Sequence, residues 1–333
     1  MKKIIKYSKK NDEIKKIKKF LITENSIHLK KTININKLFN KQKKRNRCII
    51  CNFKLNQKDF ISHKVSYSFC RKCSHLNGKN ILNSNFNKKI YTSNSGKNYS
   101  GMYTKLFLER LKKIYIPKIK FMSDTIKEKI SVLDVGCGAG HFVKACEINN
   151  IEAIGLDPNQ DLVSKGNKNL KKNKINCLNF SEIIDAIINT NSKLISCIFV
   201  LEHLENPNKI FEAFKKSKAK YFYMAVPLVS FSIFIENAFL NVYPRQLGGT
   251  HTNLYSKKSI NYICNKFKFK IMSEWWFGSD FNDLYRSILL SSNYQSKFYE
   301  KKFNDYFLDH INKLQNILDK SNMSSEVHLI LKK

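Results

Sequence analysis

The run from Ile130 to Gly140 constrains this chain more than any other stretch. An apolar, β-branched strand, Ile130 to Val135, runs straight into a turn with Gly136, Gly138 and Gly140, and a helical run from His141 to Ile148 follows. Glycine lets backbone bend tightly and approach a ligand closely, because no Cβ stands in the way. Seventeen residues after Gly140, a second short strand, Ile151 to Leu156, ends on Asp157. A carboxylate at that point is placed to accept hydrogen bonds from both hydroxyls of a ribose. Together these features describe a nucleoside-binding edge of an open α/β sheet.

A dinucleotide fingerprint would read G-x-G-x-x-G, and a pyrophosphate needs that wider loop and a helix N-terminus aimed at its charge. Here the spacing is Gly136-x-Gly138-x-Gly140, with Asp134 just before it. S-adenosylmethionine (SAM) has no phosphate and carries a sulfonium cation, which an acidic residue beside the turn favours. D-V-G-C-G-A-G from Asp134, followed by G-L-D-P from Gly155, resembles motifs I and II of class I SAM-dependent methyltransferases. A third segment, Leu194 to Pro207, resembles the V-L-E-H-L/V-x-D/N-P motif of many small-molecule methyltransferases, and Pro207 opens a helix where a missing N–H is tolerated.

The resemblance extends from about Ile130 to Val226. It implies that Asp134, Gly136, Cys137, Gly138, Gly140, Asp157, Pro158, Phe199 and Val200 surround SAM, and that His203 faces the acceptor. One position departs from the family. The third strand ends at Leu178-Asn179-Phe180, where relatives often carry an acidic residue beside adenine, so the exocyclic amine is left to Asn179. The fold expected is α/β, a Rossmann-like seven-stranded methyltransferase sheet with helices on both faces, plus a small N-terminal zinc-binding module. Strands are expected near 131–135, 151–156, 174–178, 194–199, 220–226, 267–274 and 326–332, the last inserting antiparallel. Helices are expected near 140–149, 159–170, 181–189, 207–217, 256–266 and 280–319.

The zinc module rests on cysteine spacing. Four of the nine cysteines form Cys48-x-x-Cys51 and, eighteen residues later, Cys70-x-x-Cys73. Two such knuckles supply four thiolates for tetrahedral Zn²⁺, a closed and therefore structural site. Phe60, Val65, Tyr67 and Phe69 between them suit a small β-ribbon. His63 and His75 are expected in ordinary surface roles, and the remaining cysteines read as core thiols.

The domain plan is a basic segment over 1–47, the zinc module over 48–78, a linker and SAM-covering helical segment over 79–129, and the methyltransferase domain over 130–333. Part of the basic segment is expected as a helix or strand on the body. Tyr91, Tyr99 and Tyr103 are candidates to line the pocket from the covering segment, with Tyr99 assigned to SAM and Phe180 beside it. Acceptor-side insertions are expected at 227–255 and 277–319, the second as a pocket wall or dimer surface. In the first, His251-Thr-Asn-Leu-Tyr255-Ser256 is similar to the acceptor-side loop of methyltransferases in bacterial sugar and surface-polysaccharide pathways, which implies substrate contacts for Tyr255. Ser256 is expected to cap the next helix.

Methyl transfer is an in-line displacement at the sulfonium carbon, so the protein positions the acceptor and removes its proton. His203 is the leading general base, an imidazole near neutral pKa suiting a hydroxyl acceptor. His251 is second, Glu202 accompanies them, and Arg245 is placed for a substrate phosphate or carboxylate. Each histidine also has an ordinary structural reading. Metal-dependent relatives pair an E-x-x-E-H motif with further ligands. Here Phe199 holds the first acidic position, so no catalytic metal is expected at Glu202 and His203.

A formal net charge of +34 is open to two readings. It fits a polyanionic partner. It also fits AT-rich codons, since Lys, Asn and Ile abound and Arg, the residue RNA surfaces favour, is scarce. The preferred acceptor is a carbohydrate, a sugar nucleotide or surface-glycan precursor, with O-methylation ahead of C-methylation. An N-terminal four-cysteine zinc module also resembles that of deoxysugar C-methyltransferases. The first rival is an rRNA or tRNA methyltransferase, since certain rRNA guanine methyltransferases join a four-cysteine module to this fold. An N/D-P-P-Y/F motif is absent, which argues against it. The second rival is a non-catalytic scaffold. The lysine-rich N-terminus lacks a signal-peptide core, and Leu228 to Leu240 is too short to span a bilayer, so a cytoplasmic location without a membrane span is expected.

Overall fold

A computed structural model describes residues 3–9, 19–92, 106–248, 250–293 and 296–333. Its centre is an eight-stranded sheet. Strand β5 (Ser131–Val135) pairs in parallel with β6 (Glu152–Asp157) and β8 (Leu194–Ile198). Parallel pairing continues outward to β7 (Ile175–Cys177) on one side and β9 (Tyr221–Pro227) on the other. Beyond β9, β12 (Glu326–Lys332) inserts antiparallel between β9 and β11 (Lys270–Phe277). The seven expected strands are all present, shifted by at most three residues. An eighth, β1 (Ile4–Tyr7), adds in parallel to the β11 edge, Ile4 opposite Ser273.

Strands buried on both faces have side chains that alternate between two cores. Along β9, Phe222, Met224 and Val226 enter one core and Tyr221 and Tyr223 the other. The same holds on β11, where Trp276 points one way and Trp275 and Phe277 the opposite way. Helices 180–189, 208–216 and 257–267 cover the first face, and 116–125 and 141–148 the second. Ser256 caps its helix as expected, accepting a hydrogen bond from the Ser259 N–H at 3.1 Å.

Two regions differ from the sequence reading. The single helical region over 280–319 is three helices, Asp280–Ser291, Lys297–Leu308 and Ile311–Lys320. Ser292 leaves the helix in an extended conformation, and Ser296 starts a new one by capping the Tyr299 N–H. The four-cysteine module is not self-contained either. Its ribbon, β2 (Phe60–Ser62), β3 (Val65–Phe69) and β4 (Leu76–Gly78), gains a fourth strand, β10 (Asn253–Leu254), from the first acceptor-side insertion. The 79–92 part of the linker carries helical turns at Ser84–Asn87 and Lys88–Thr92. From the N-terminal segment, helix Asn25–Asn40 buries Phe39 in a third core with Tyr67, Leu76 and Leu254. No helix among the described residues is long and apolar enough to cross a membrane.

Candidate active site

A cavity of about 1190 Å³ opens at the C-terminal ends of β5, β6, β8 and β9, where open α/β sheets bind ligands. The glycine turn forms one end. Gly136, Gly138 and Gly140 have φ of +68°, +55° and +73°, values that a residue with a Cβ rarely adopts. Their surroundings divide the labour. A Cβ on Gly136 would lie 2.5 Å from Val200, and one on Gly140 would lie 2.3 Å from Ile175, so those two positions allow close packing. A Cβ on Gly138 would meet nothing within 4 Å, because it would project into the cavity.

Asp157 holds the turn to β6. One carboxylate oxygen accepts the Gly138 N–H at 2.8 Å and the other accepts the Asn159 N–H at 2.9 Å. Each oxygen keeps a lone pair for a ribose hydroxyl, and the side chain lines the cavity. Burial raises its pKa to about 6, against the pull of those two N–H groups. Phe180, 36% exposed, lines the same end together with Pro158 and Asn179. The Asn179 oxygen accepts the Ser181 and Glu182 N–H groups at 2.9 and 3.1 Å, capping the helix. An adenine amine would compete with that cap, so the expected contact through this oxygen is not preformed. These residues fit SAM: an uncrowded Gly138 backbone, a ribose-binding carboxylate and an aromatic face.

Asp134 and Gly140 do not line the cavity. Asp134 lies beneath the turn, buried, and accepts the Ser196 hydroxyl at 2.6 Å. Burial raises its pKa to about 7 despite Ser196 and the nearby charge of Lys118. Lys118 lines the cavity from helix Ile116–Thr125, its Nζ 4.5 Å from the centroid of the Tyr115 ring. Burial lowers its pKa to about 7. Cys137 and Val200 line the cavity as expected. Phe199 does too, at φ +58°, an outlier for a bulky residue that marks backbone strain at the end of β8.

The opposite end is built around two histidines. The His203 and His251 rings lie 4.8 Å apart between centroids, and both line the cavity. His203 Nδ1 is 2.6 Å from the Thr250 carbonyl oxygen and 3.0 Å from the Tyr91 hydroxyl. His251 Nδ1 is 3.1 Å from the Arg245 carbonyl oxygen. A carbonyl only accepts, so each Nδ1 carries the proton and each Nε2 presents a lone pair. Burial lowers the His203 pKa to about 4 and the His251 pKa to about 3, so both rings are neutral at physiological pH. Beneath them, Glu202 is fully buried, and burial raises its pKa to about 8. Ligand atoms of Glu202, His203 and His251 lie within 4.8 Å of one another.

Other expected positions fall differently. Arg245 lines the cavity, but its Nε and Nη2 donate to Asp283 at 3.0 and 2.8 Å, and Nη2 also donates to Ser325 at 3.0 Å. A substrate anion would meet a guanidinium already neutralised by the buried Asp283. Tyr255 does not reach the cavity. Its ring is fully buried, 4.8 Å from and edge-on to His75, because β10 turns that face of the chain toward the zinc module. His75 is likewise buried rather than on the surface, and so is His63. Tyr91 lines the cavity, while Tyr99 and Tyr103 lie outside the described residues. Lys118, Tyr115 and His328 are cavity residues that no sequence motif marked.

The four zinc-type cysteines converge beside this domain. Cys48 and Cys73 Sγ are 3.6 Å apart, Cys51 and Cys70 Sγ 3.4 Å, and all four lie within 4.8 Å of one another. Zn–S bonds of 2.3 Å at tetrahedral angles require about 3.8 Å between sulfurs, so the set fits Zn²⁺. After each knuckle a left-handed residue, Asn52 at φ +58° or Ser74 at φ +57°, turns the chain back. The first knuckle is tied to the body by the Asn208 amide, donating to the Ile49 carbonyl at 3.0 Å, and the second by Ser256, donating to Cys73 at 3.3 Å.

The family described as a methyltransferase domain matches residues 107–274, half of the chain. No curated protein matches it. Among solved structures, a SAM-dependent methyltransferase from Archaeoglobus fulgidus is similar at 21% identity, covering 69% of this chain and 100% of that one, with TM-score 0.43. Magnesium protoporphyrin IX methyltransferase from Synechocystis PCC 6803, with bound SAH, is similar at 10% identity, 75% and 100% coverage and TM-score 0.47. The plantazolicin methyltransferase BamL, in complex with a desmethylPZN analog and SAH, gives 15% identity, 74% and 93% coverage and TM-score 0.45. By the match over half its length this chain belongs to the methyltransferase-domain family.

Proposed function

We propose that this chain transfers a methyl group from SAM to a hydroxyl of a carbohydrate, a sugar nucleotide or a surface-glycan precursor. The observation that carries the reading is the layout of one cavity. Gly138 and Asp157 line one end, and His203 and His251, each with Nδ1 on a backbone carbonyl, line the other. SAM, when bound, supplies an electrophilic methyl carbon whose bond to sulfur breaks as the bond to the acceptor oxygen forms. Asp157 fixes the ribose, and the Gly138 backbone lets the cofactor approach the turn. His203, held by Thr250, takes the hydroxyl proton on Nε2. Four thiolates of Cys48, Cys51, Cys70 and Cys73 hold a structural zinc that braces β10, two residues beyond His251.

The polar acceptor end, with Gln246 and Glu326 beside the histidines, suits a hydroxyl-rich acceptor. The net charge of +34 favours an anionic one, as a sugar nucleotide or RNA would be. Labelled SAM offered to the purified, zinc-loaded protein with a sugar-nucleotide pool and total RNA in parallel separates these. Label in the sugar fraction supports the carbohydrate reading; label in RNA alone overturns it.

A further inference from the structure

The group of Glu202, His203 and His251 has a property that proton abstraction by one histidine leaves unexplained. Glu202 is fully buried, and neither of its carboxylate oxygens has a hydrogen-bond partner among the described residues. A buried carboxyl oxygen without a partner is costly unless something else satisfies it. Its Oε1 faces His203 Nε2 at 3.8 Å. That nitrogen is no donor, because the Thr250 carbonyl fixes the proton on Nδ1. His251 repeats the arrangement, with Arg245 as the carbonyl.

Two imidazoles each hold Nδ1 on a backbone carbonyl, which leaves Nε2 as the acceptor, and the buried carboxyl group of Glu202 lies within ligating reach of both. Histidines that bind metals are oriented in this way, the outer N–H held by a carbonyl or carboxylate. We propose that Glu202, His203 and His251 form a divalent transition-metal site, a two-histidine, one-carboxylate set whose open positions face the cavity. Ligand sets of this composition hold Zn²⁺ and Fe²⁺ with coordination positions left for water or substrate. A coordination radius of 2.1 Å requires about 3.0–3.4 Å between donors. The separations here, up to 4.8 Å, close by side-chain rotation around the ion. Phe199 in place of the first acid of an E-x-x-E-H motif does not remove the site, because His251, 48 residues downstream of His203, supplies the third donor.

The site rests on these side chains and not on the methyl-transfer reading.

The test uses the full chain with its four-cysteine site, titrated with Co²⁺ in the absence of SAM and acceptor. Thiolate-bound Co²⁺ gives an intense sulfur-to-metal charge-transfer band, and a site of imidazole and carboxylate gives only weak ligand-field bands. Two equivalents are expected, one of each signature. Glu202→Gln and His251→Ala should each weaken the second by at least tenfold, with the thiolate band retained as the control for folding. A single equivalent of thiolate type in the wild-type chain overturns the proposal. So does a second equivalent unaffected by both substitutions.

Discussion

His203 Nδ1 and the Thr250 carbonyl oxygen lie 2.6 Å apart, joining the end of β8 to the loop that leads into β10. Since the carbonyl can only accept, this contact sets the tautomer of the ring and leaves Nε2 as its acceptor. His203→Ala should lower the rate of methyl transfer about 10²- to 10⁴-fold. Affinity for SAH should change less than twofold, because Asp157 and Gly138 remain. An unchanged rate would remove His203 from the chemistry.

Two glycines of one turn should fail in opposite ways. Gly140→Ala places a Cβ 2.3 Å from Ile175 at φ +73°, so overpacking and strain should cost about 2–4 kcal/mol in denaturant unfolding. Gly138→Ala meets no protein atom, so its cost is the backbone strain alone, about 1–2 kcal/mol. Its Cβ enters the space SAM would occupy, and SAH affinity should fall at least tenfold. Equal effects of the two substitutions on SAH binding would contradict this division.

The zinc module shares a sheet with the acceptor side: Asn253 pairs with Asn77, and Leu254 with Leu76. Stripping the metal, or Cys70→Ser, should therefore lower thermal stability steeply, since structural zinc contributes on the order of 10 kcal/mol. Methyl transfer should be lost with it as the His251 loop loosens. Full activity in a chain shown by elemental analysis to be zinc-free would separate the module from the site.

Buried Asp134 and Lys118 should shape the pH dependence of stability in opposite directions. The folded state holds the Asp134 proton up to about pH 7, whereas an ordinary aspartate loses it near 3.8, so stability falls as pH rises between those values. Lys118 is neutral in the folded state above about 7 and charged in the unfolded chain up to 10.5, so stability rises with pH across that window. Each tenfold separation of acid constants is worth about 1.4 kcal/mol. Asp134→Asn should flatten the acid-side slope and Lys118→Met the alkaline one, measured as urea midpoints from pH 4 to 10. Slopes unchanged by both substitutions would contradict these assignments.

The cofactor end was legible in the sequence because it is local. Strand, glycine turn, helix and the next strand's terminal aspartate are one continuous α/β unit, and their spacing sets their geometry. The acceptor end is assembled from distant pieces. Glu202 and His203 follow β8, His251 precedes β10, Tyr91 comes from the covering segment and His328 from the last strand. No periodicity links such positions. The Tyr255 ring departs from the sequence reading because motif spacing does not say which way a residue faces; just beyond β10 it bridges Leu228, and its ring packs on His75. The strand or helix expected somewhere in the basic segment could not be placed amid its lysines; the exposed edge of β11 recruits Ile4–Tyr7.

Calorimetric titration of the wild-type chain and Asp157→Asn with SAH shows whether this cavity binds the cofactor. One equivalent should bind to the wild type. Binding to the variant should be at least tenfold weaker, because hydrogen bonds to a charged acceptor are worth about 1.5–3 kcal/mol. Wild-type affinity should also decline as pH drops below about 6, where Asp157 gains a proton and can no longer accept both ribose hydroxyls. A wild-type chain that binds no SAH, or a variant that binds it equally well, would contradict the assignment of this cavity to SAM.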